Sequence, residues 1–181
     1  MPATFDYQQI ERMAQAVALV RVGVRPSIAE LHTGVSRRMI CRWYRQIHGV
    51  RPTRGPLPSS PKILRTQQHR RHAAHLLEEY ERLTGGQSIR IDKLLQAHED
   101  YQAQCRSEGE VFLLSATDAW VLAKDLELGN VVKQVCPTCE RPHYSALAQR
   151  SPDTCPYCPT SRGSRGSART LDDEPRQIAV Q

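Results

Sequence analysis

Four cysteines constrain this chain more than any other feature. Cys136-Pro-Thr-Cys139 and Cys155-Pro-Tyr-Cys158 give C-x2-C, fifteen intervening residues, then C-x2-C. Each C-x2-C turns tightly enough to aim two thiolates at one point, and the intervening loop brings the second pair opposite. The spacing predicts a four-cysteine Zn²⁺ site with Cys136, Cys139, Cys155 and Cys158 as ligands. Four sulfurs leave zinc no open position, so the site is expected to be structural. In small zinc modules metal binding contributes on the order of 10–16 kcal/mol, which becomes folding energy. Four thiolates and one Zn²⁺ sum to −2, so the formal net charge of +6 falls to about +4 with metal bound. Two other readings compete. Cys-Pro-Tyr-Cys also resembles a glutaredoxin-type redox pair, but no βαβ pattern surrounds it. Disulfides belong to oxidising compartments, and none is implied here. His143 lies between the pairs and is a possible substitute ligand. Cys41 and Cys105 fall in predicted helices as small buried side chains.

Charge is the second constraint. Between Leu31 and Leu77 there are ten Lys/Arg and no Asp or Glu, which leaves 15 basic against 19 acidic residues elsewhere. Nine of the ten are arginine, whose planar fork suits phosphate and guanine. Such segregation attracts a polyanion. The alternative is a solvated basic surface or a helix docking an acidic protein.

The rest reads as helices. Asp6 to Val22 carries a 3.6-residue stripe of Ile10, Met13, Ala14, Val17 and Val20, stopped by Gly23. A short helix over Ile28 to His32, a turn at Thr33-Gly34-Val35 and a second helix capped by Ser36 form a helix-turn-helix pattern over 27–49. That second helix has Met39 or Ile40, Trp43, Tyr44 and Ile47 as its apolar face and ends at Gly49. Arg38, Arg42 and Arg45 share the opposite face. Arg37 and Arg38 sit at the helix N-terminus, where a recognition helix reaches base edges. Arg51 and Arg54 follow on a proline-rich loop and suit phosphates.

Residues 50–72 are expected to be a basic loop, with helical periodicity resuming at about Ile63 and running to Leu83. Further helices are predicted over Asp92 to Cys105 and from Ser115, where Asp118 completes a capping box and Trp120, Ala123 and Leu126 face inward. Val131, Val132 and Val135 suggest a strand leading into the cysteines. The expected organisation is a helical body (1–130), a zinc-binding module (131–160) and a disordered tail (161–181). With 39% hydrophobic and 24% charged residues the chain is of the globular class. No stretch is long enough to span a bilayer, and the opening MPATFDYQQIER has no basic region followed by an apolar one, so a cytoplasmic protein is expected. No Ser-His-Asp set, phosphate-binding glycine loop or HExxH motif appears, so catalysis is not expected.

A family resemblance rests on particular runs: Val22-Gly23-Val24-Arg25, Thr33-Gly34-Val35-Ser36-Arg37, Tyr44-Arg45, Gly49, Pro52 and Gly55-Pro56-Leu57-Pro58-Ser59. With the late four-cysteine arrangement after Ala119-Trp120, these resemble the flagellar transcriptional regulator FlhC over most of residues 10 to 160. The resemblance implies a mainly α protein that binds zinc through four cysteines, here Cys136, Cys139, Cys155 and Cys158. It further implies assembly with an FlhD subunit into a hetero-oligomer that binds flagellar promoter DNA and activates transcription with RNA polymerase. The family motif does not fix the DNA contacts, and the charge argument assigns them to Arg37, Arg38, Arg42, Arg45, Arg51 and Arg54. The rival expectation is a zinc-stabilised protein-interaction adaptor without a DNA role.

Overall fold

The structure, a computed structural model, describes residues 7–85, 89–148 and 154–158. Among these the protein is mainly helical, with one two-stranded ribbon bearing the first cysteine pair. Three helices open the chain: α1 (Tyr7–Arg21), α2 (Pro26–Thr33) and α3 (Arg37–His48). The second half of α1 buries Ala16, Leu19 and Val20, whereas Tyr7 and Ile10 at its start are exposed. α2 starts on Pro26, whose missing N–H costs nothing in a first turn, and buries Ile28 and Ala29. Gly34 ends it at φ 67°, a left-handed conformation that glycine adopts without strain.

Ser36 holds the N-cap position of α3, as expected, but its hydroxyl makes no cap bond. Glu30 Oε1 instead accepts from the Arg37 N–H at 3.0 Å, so the preceding helix caps this one. A ring N–H of His48 donates to the Val20 carbonyl at 2.7 Å and ties the end of α3 to α1. Of the apolar face read from α3, Ile40 is buried and Trp43 and Tyr44 are partly buried against the core. Met39 and Ile47 are exposed. Helices α1 and α2 cover only one side of α3, so the ends of its stripe stay in solvent.

The expectation of a basic loop over 50–72 and of a helix from Ile63 to Leu83 needs correction. Residues 50–59 are irregular, then α4 (Ser60–Ile63) forms one turn, and α5 (Gln67–Thr84) starts afresh. Two side chains set that break. Leu64 is fully buried, and the Thr66 hydroxyl accepts the His69 N–H at 3.1 Å as a new N-cap. α5 packs on α6 (Ile91–Ser107) and α7 (Ala116–Glu127) around Leu76, Leu77, Leu94, Leu114 and Leu122. Buried polar groups are paired across these helices: the Tyr101 hydroxyl bonds His72 Nδ1 at 2.9 Å and accepts from Leu113 N–H at 2.9 Å. The capping box at α7 is present, with Ser115 Oγ accepting from Asp118 N–H at 3.1 Å and Asp118 Oδ2 accepting from Ser115 N–H at 3.0 Å.

β1 (Val131–Val135) is the strand read from the valines. Its partner β2 (Pro142–Ala146) was not foreseen. They pair antiparallel, from Val131 opposite Ala146 to Val135 opposite Pro142. Tyr144 of β2 is fully buried, and its hydroxyl donates to Glu81 Oε2 of α5 at 2.7 Å. Lys133 Nζ of β1 bonds the same oxygen at 2.6 Å. The ribbon is thereby fixed on α5. No helix among the described residues is long and apolar enough to cross a membrane. The tail expected over 161–181 lies outside the described residues.

Candidate metal centre and nucleic-acid interface

The ribbon presents Cys136 directly after β1, and residues 136–141 form a knuckle at its tip. Glu140 N–H donates to the Cys136 carbonyl at 2.8 Å and Cys136 N–H to the Arg141 carbonyl at 3.1 Å. Glu140 takes a left-handed φ of 56°, which an L side chain adopts only where the turn demands it. Cys155 and Cys158 stand on a second knuckle. The two knuckles repeat one detail: an N–H two residues on donates to the leading sulfur, Thr138 to Cys136 Sγ and Tyr157 to Cys155 Sγ, each at 3.4 Å.

The four sulfurs lie within 4.8 Å of one another, with Cys136 to Cys158 at 3.7 Å and Cys139 to Cys155 at 3.6 Å. A tetrahedral centre with Zn–S bonds of about 2.3 Å has sulfur–sulfur edges of about 3.8 Å, so the arrangement already has the size of such a centre. All six cysteines are free of disulfides. Backbone N–H groups of Cys139 and Thr138 hold the Cys136 thiol down at about 6. Hydrogen bonds among the neighbouring thiols push Cys158 up to about 12. Four thiols this close cannot all ionise without a cation between them. The cluster therefore has the donors and dimensions to hold a metal ion. His143 is buried on β2 and is not one of the clustered ligand atoms, and neither ring nitrogen has a partner among the described residues.

Three side chains of α5 seat the second knuckle, a role that the basic composition alone does not reveal. Arg70 Nη1 donates to the Thr154 carbonyl at 2.9 Å, Arg71 Nε to Pro156 at 2.6 Å, and Gln67 Nε2 to Cys158 at 3.2 Å. Arg141 of the first knuckle lies 5.1 Å from the Tyr157 ring centre of the second. Two of the ten basic residues in the acid-free segment are thus committed to the cysteine module.

The six arginines singled out from the sequence are all exposed: Arg37, Arg38, Arg42 and Arg45 on α3, Arg51 and Arg54 on the loop after it. Among the described residues none of the six has a carboxylate within ion-pair distance. Arg37 and Arg45 face Arg51 and Arg54 across an open cavity of about 510 Å³, whose lining includes Cys41 and Thr53 and no acidic residue. Arg38 and Arg42 do not line it. The loop is held by Arg25, a residue of the family motif to which the sequence assigns no contact with the loop. Its Nη1 donates to the carbonyls of Gly55 at 2.9 Å and Pro56 at 2.7 Å, and its own N–H donates to Thr117 Oγ1 of α7 at 3.2 Å. No local pattern announces a contact spanning thirty residues.

Comparison with known proteins agrees with the motifs. The family described as flagellar transcriptional activator (FlhC) matches residues 5–169. A protein of Verminephrobacter eiseniae named flagellar transcriptional regulator FlhC is 31% identical over 162 residues, 88% of this chain and 86% of that protein. Its namesake in Cupriavidus metallidurans is 33% identical over 133 residues, 73% of this chain, and there the chain spans 62% of the relative's length. A Proteus mirabilis protein of the same name is 28% identical over 170 residues, 92% of this chain and 87% of its own length. The matched span takes in the α1–α3 helices, the arginine-lined loop and both cysteine pairs, and the chain belongs to the FlhC family of flagellar transcriptional regulators.

Proposed function

We propose that the protein is the DNA-binding subunit of a transcriptional activator, acting in the cytoplasm with an FlhD-type partner at flagellar promoters and recruiting RNA polymerase there. The observation that carries this reading is the acid-free arginine face formed by α3 and the loop after it. A face with six guanidiniums, none in an ion pair among the described residues, attracts a phosphate backbone. Membership of a family named for transcriptional regulation supports the same reading and gives no reason to expect catalysis.

In this reading Cys136, Cys139, Cys155 and Cys158 hold one structural Zn²⁺, which supplies a closed tetrahedral cross-link between the two knuckles and no reactive coordination position. The module of residues 131–160 then fixes the start of α5, and the body of residues 1–130 presents the arginines. DNA contacts are assigned to Arg37, Arg38, Arg42, Arg45, Arg51 and Arg54.

The test is fluorescence anisotropy on flagellar-promoter duplex, with the metal-loaded chain alone and with its FlhD-type partner, across a salt series. Neutralising about six phosphates gives a slope of log affinity against log salt near −5. Partner-dependent, sequence-preferring binding with that slope supports the reading. Absence of binding by the folded, metal-loaded protein refutes it and favours an adaptor that docks acidic proteins.

A further inference from the structure

We propose that α3 and the loop after it form one phosphodiester-binding cleft, in which Arg37, Arg45, Arg51 and Arg54 grip consecutive phosphates of a DNA strand while Arg38 and Arg42 stay outside it and face the bases. The inference rests on the DNA-binding reading above and sorts its six arginines into two roles. Sequence position alone suggests a different division, with Arg37 at the base edges and only the loop arginines on phosphates.

The geometry argues for the cleft in three steps. First, Arg37, Cys41 and Arg45 follow one another at i, i+4 and i+8, so they form one row along α3, and all three line the cavity. That row rises about 12 Å along the helix, several times the axial step of about 3.4 Å between phosphates of one strand. It is long enough to meet more than one phosphate. Second, the opposite wall brings Arg51 and Arg54, so guanidiniums converge from two elements on a space of about 510 Å³ with no acidic side chain in its lining. An open cationic cleft of this kind suits doubly coordinated phosphate oxygens, which arginine forks satisfy in pairs. Third, Arg38 and Arg42 stand on the neighbouring row, about 100° round the helix, and are absent from the lining. A strand seated in the cleft leaves that row turned towards the groove.

Cys41 provides the probe. It is partly exposed in the cleft, while Cys105 is buried and the other four cysteines belong to the cluster. The full metal-loaded chain, with its FlhD-type partner, is treated with iodoacetamide and Cys41 alkylation is followed by peptide mass spectrometry. The treatment is repeated with promoter duplex and with inorganic pyrophosphate. In parallel, R51Q, R54Q, R38Q and R42Q variants go through the salt series. The cleft predicts that duplex at about ten times its Kd slows Cys41 alkylation about tenfold. R51Q and R54Q each weaken every duplex about tenfold and make the salt slope shallower by about 1. R38Q and R42Q chiefly reduce the preference for promoter over random duplex.

Three results overturn the proposal, and they are distinguishable. Duplex that binds tightly while Cys41 reacts at its free rate removes the cleft and leaves the DNA-binding reading intact. Absence of duplex binding removes both. Protection of Cys41 by pyrophosphate but not by duplex shows a site for free phosphate compounds instead of a DNA backbone.

Discussion

Arg25 offers the sharpest test of how the arginine face is built, because it acts on that face without lining it. Its Nη1 makes two bonds, to the Gly55 and Pro56 carbonyls at 2.9 and 2.7 Å, and its backbone is anchored to Thr117 of α7. In Arg25→Gln the carboxamide is too short to reach both carbonyls, and the loop carrying Arg51 and Arg54 is released. A hydrogen bond from a charged donor is worth about 1.5–3 kcal/mol when desolvated. Both bonds here are exposed and water replaces part of each, so the pair holds the loop by about 1–2 kcal/mol. If only the held loop is competent to bind, apparent affinity falls with the fraction held. Promoter Kd therefore rises about 5- to 30-fold. The slope of log affinity against log salt does not change, because the same phosphates are neutralised once the loop closes. Anisotropy titrations of parent and Arg25→Gln at four salt concentrations read both quantities. A Kd within twofold of the parent means that the two carbonyl bonds do not hold the loop. A slope shallower by about 1 means that Arg25 itself meets a phosphate, which refutes its positioning role.

Other consequences can be checked by unfolding. Tyr144→Phe removes the hydroxyl that donates to Glu81 Oε2 while Lys133 stays in place, so stability should fall by about 1–2 kcal/mol, or about 2–8 °C in Tm, and an unchanged Tm refutes the ribbon's attachment through that bond. Ser115→Ala deletes the cap on α7 and should cost about 1 kcal/mol of unfolding free energy, read by urea denaturation, with no effect on DNA affinity if α7 is only scaffold. Burial holds His98 below its ordinary value of 6.5, so the unfolded chain binds a proton that the folded chain refuses. Its contribution is complete above pH 6.5 and is lost as pH falls below that value, by up to about 1.4 kcal/mol per pH unit. The stability difference between parent and His98→Asn should therefore shrink on acidification from pH 7 to 5.5, and a constant difference refutes it. Metal removal with a tight chelator should release the two knuckles and lower Tm while far-UV circular dichroism keeps most of its helical signal. Simultaneous loss of the helices would show that the core depends on the metal.

What was legible in the sequence was what local chemistry determines. Gly34 and Gly49 end their helices where expected, and Ser115 with Asp118 caps α7. The cysteine spacing also announced its cluster. Readings failed where distant contacts decided the outcome. No glycine or proline marks the break between α4 and α5; burial of Leu64 and the Thr66 cap make it, and both depend on the packed core. β2 begins on Pro142 and continues through His143, Tyr144 and Ser145, a run without strand character of its own. It pairs because the first knuckle folds the chain back on β1. Ile47 belongs to the right stripe of α3 and is exposed nonetheless, since no neighbouring helix reaches it.

The basic segment shows the limit of charge counting most clearly, and it sets a bound that experiment can reach. Read as sequence, its ten cations are equivalent, and all ten on phosphates imply a salt slope near −9. The fold divides them. Arg70 and Arg71 donate to carbonyls 84 and 85 residues away on the second knuckle, beside a centre that carries about −2 once four thiolates surround a dication. Their charge offsets that centre instead of adding to the outward field. Arg37, Arg38, Arg42, Arg45, Arg51 and Arg54 have no carboxylate within ion-pair distance among the described residues and make up the exposed face. Lys62 and Arg65 are also exposed but lie outside that face. For one such subunit on its duplex the slope therefore lies between about −5 with the six and about −7 with all eight, and a slope approaching −9 requires Arg70 and Arg71 to leave the knuckle when DNA binds. In that event promoter binding would loosen the cysteine module, and the chelator would strip metal faster from the DNA complex than from free protein. A fixed scaffold demands the reverse: equal or slower metal loss in the complex, with the slope no steeper than about −7.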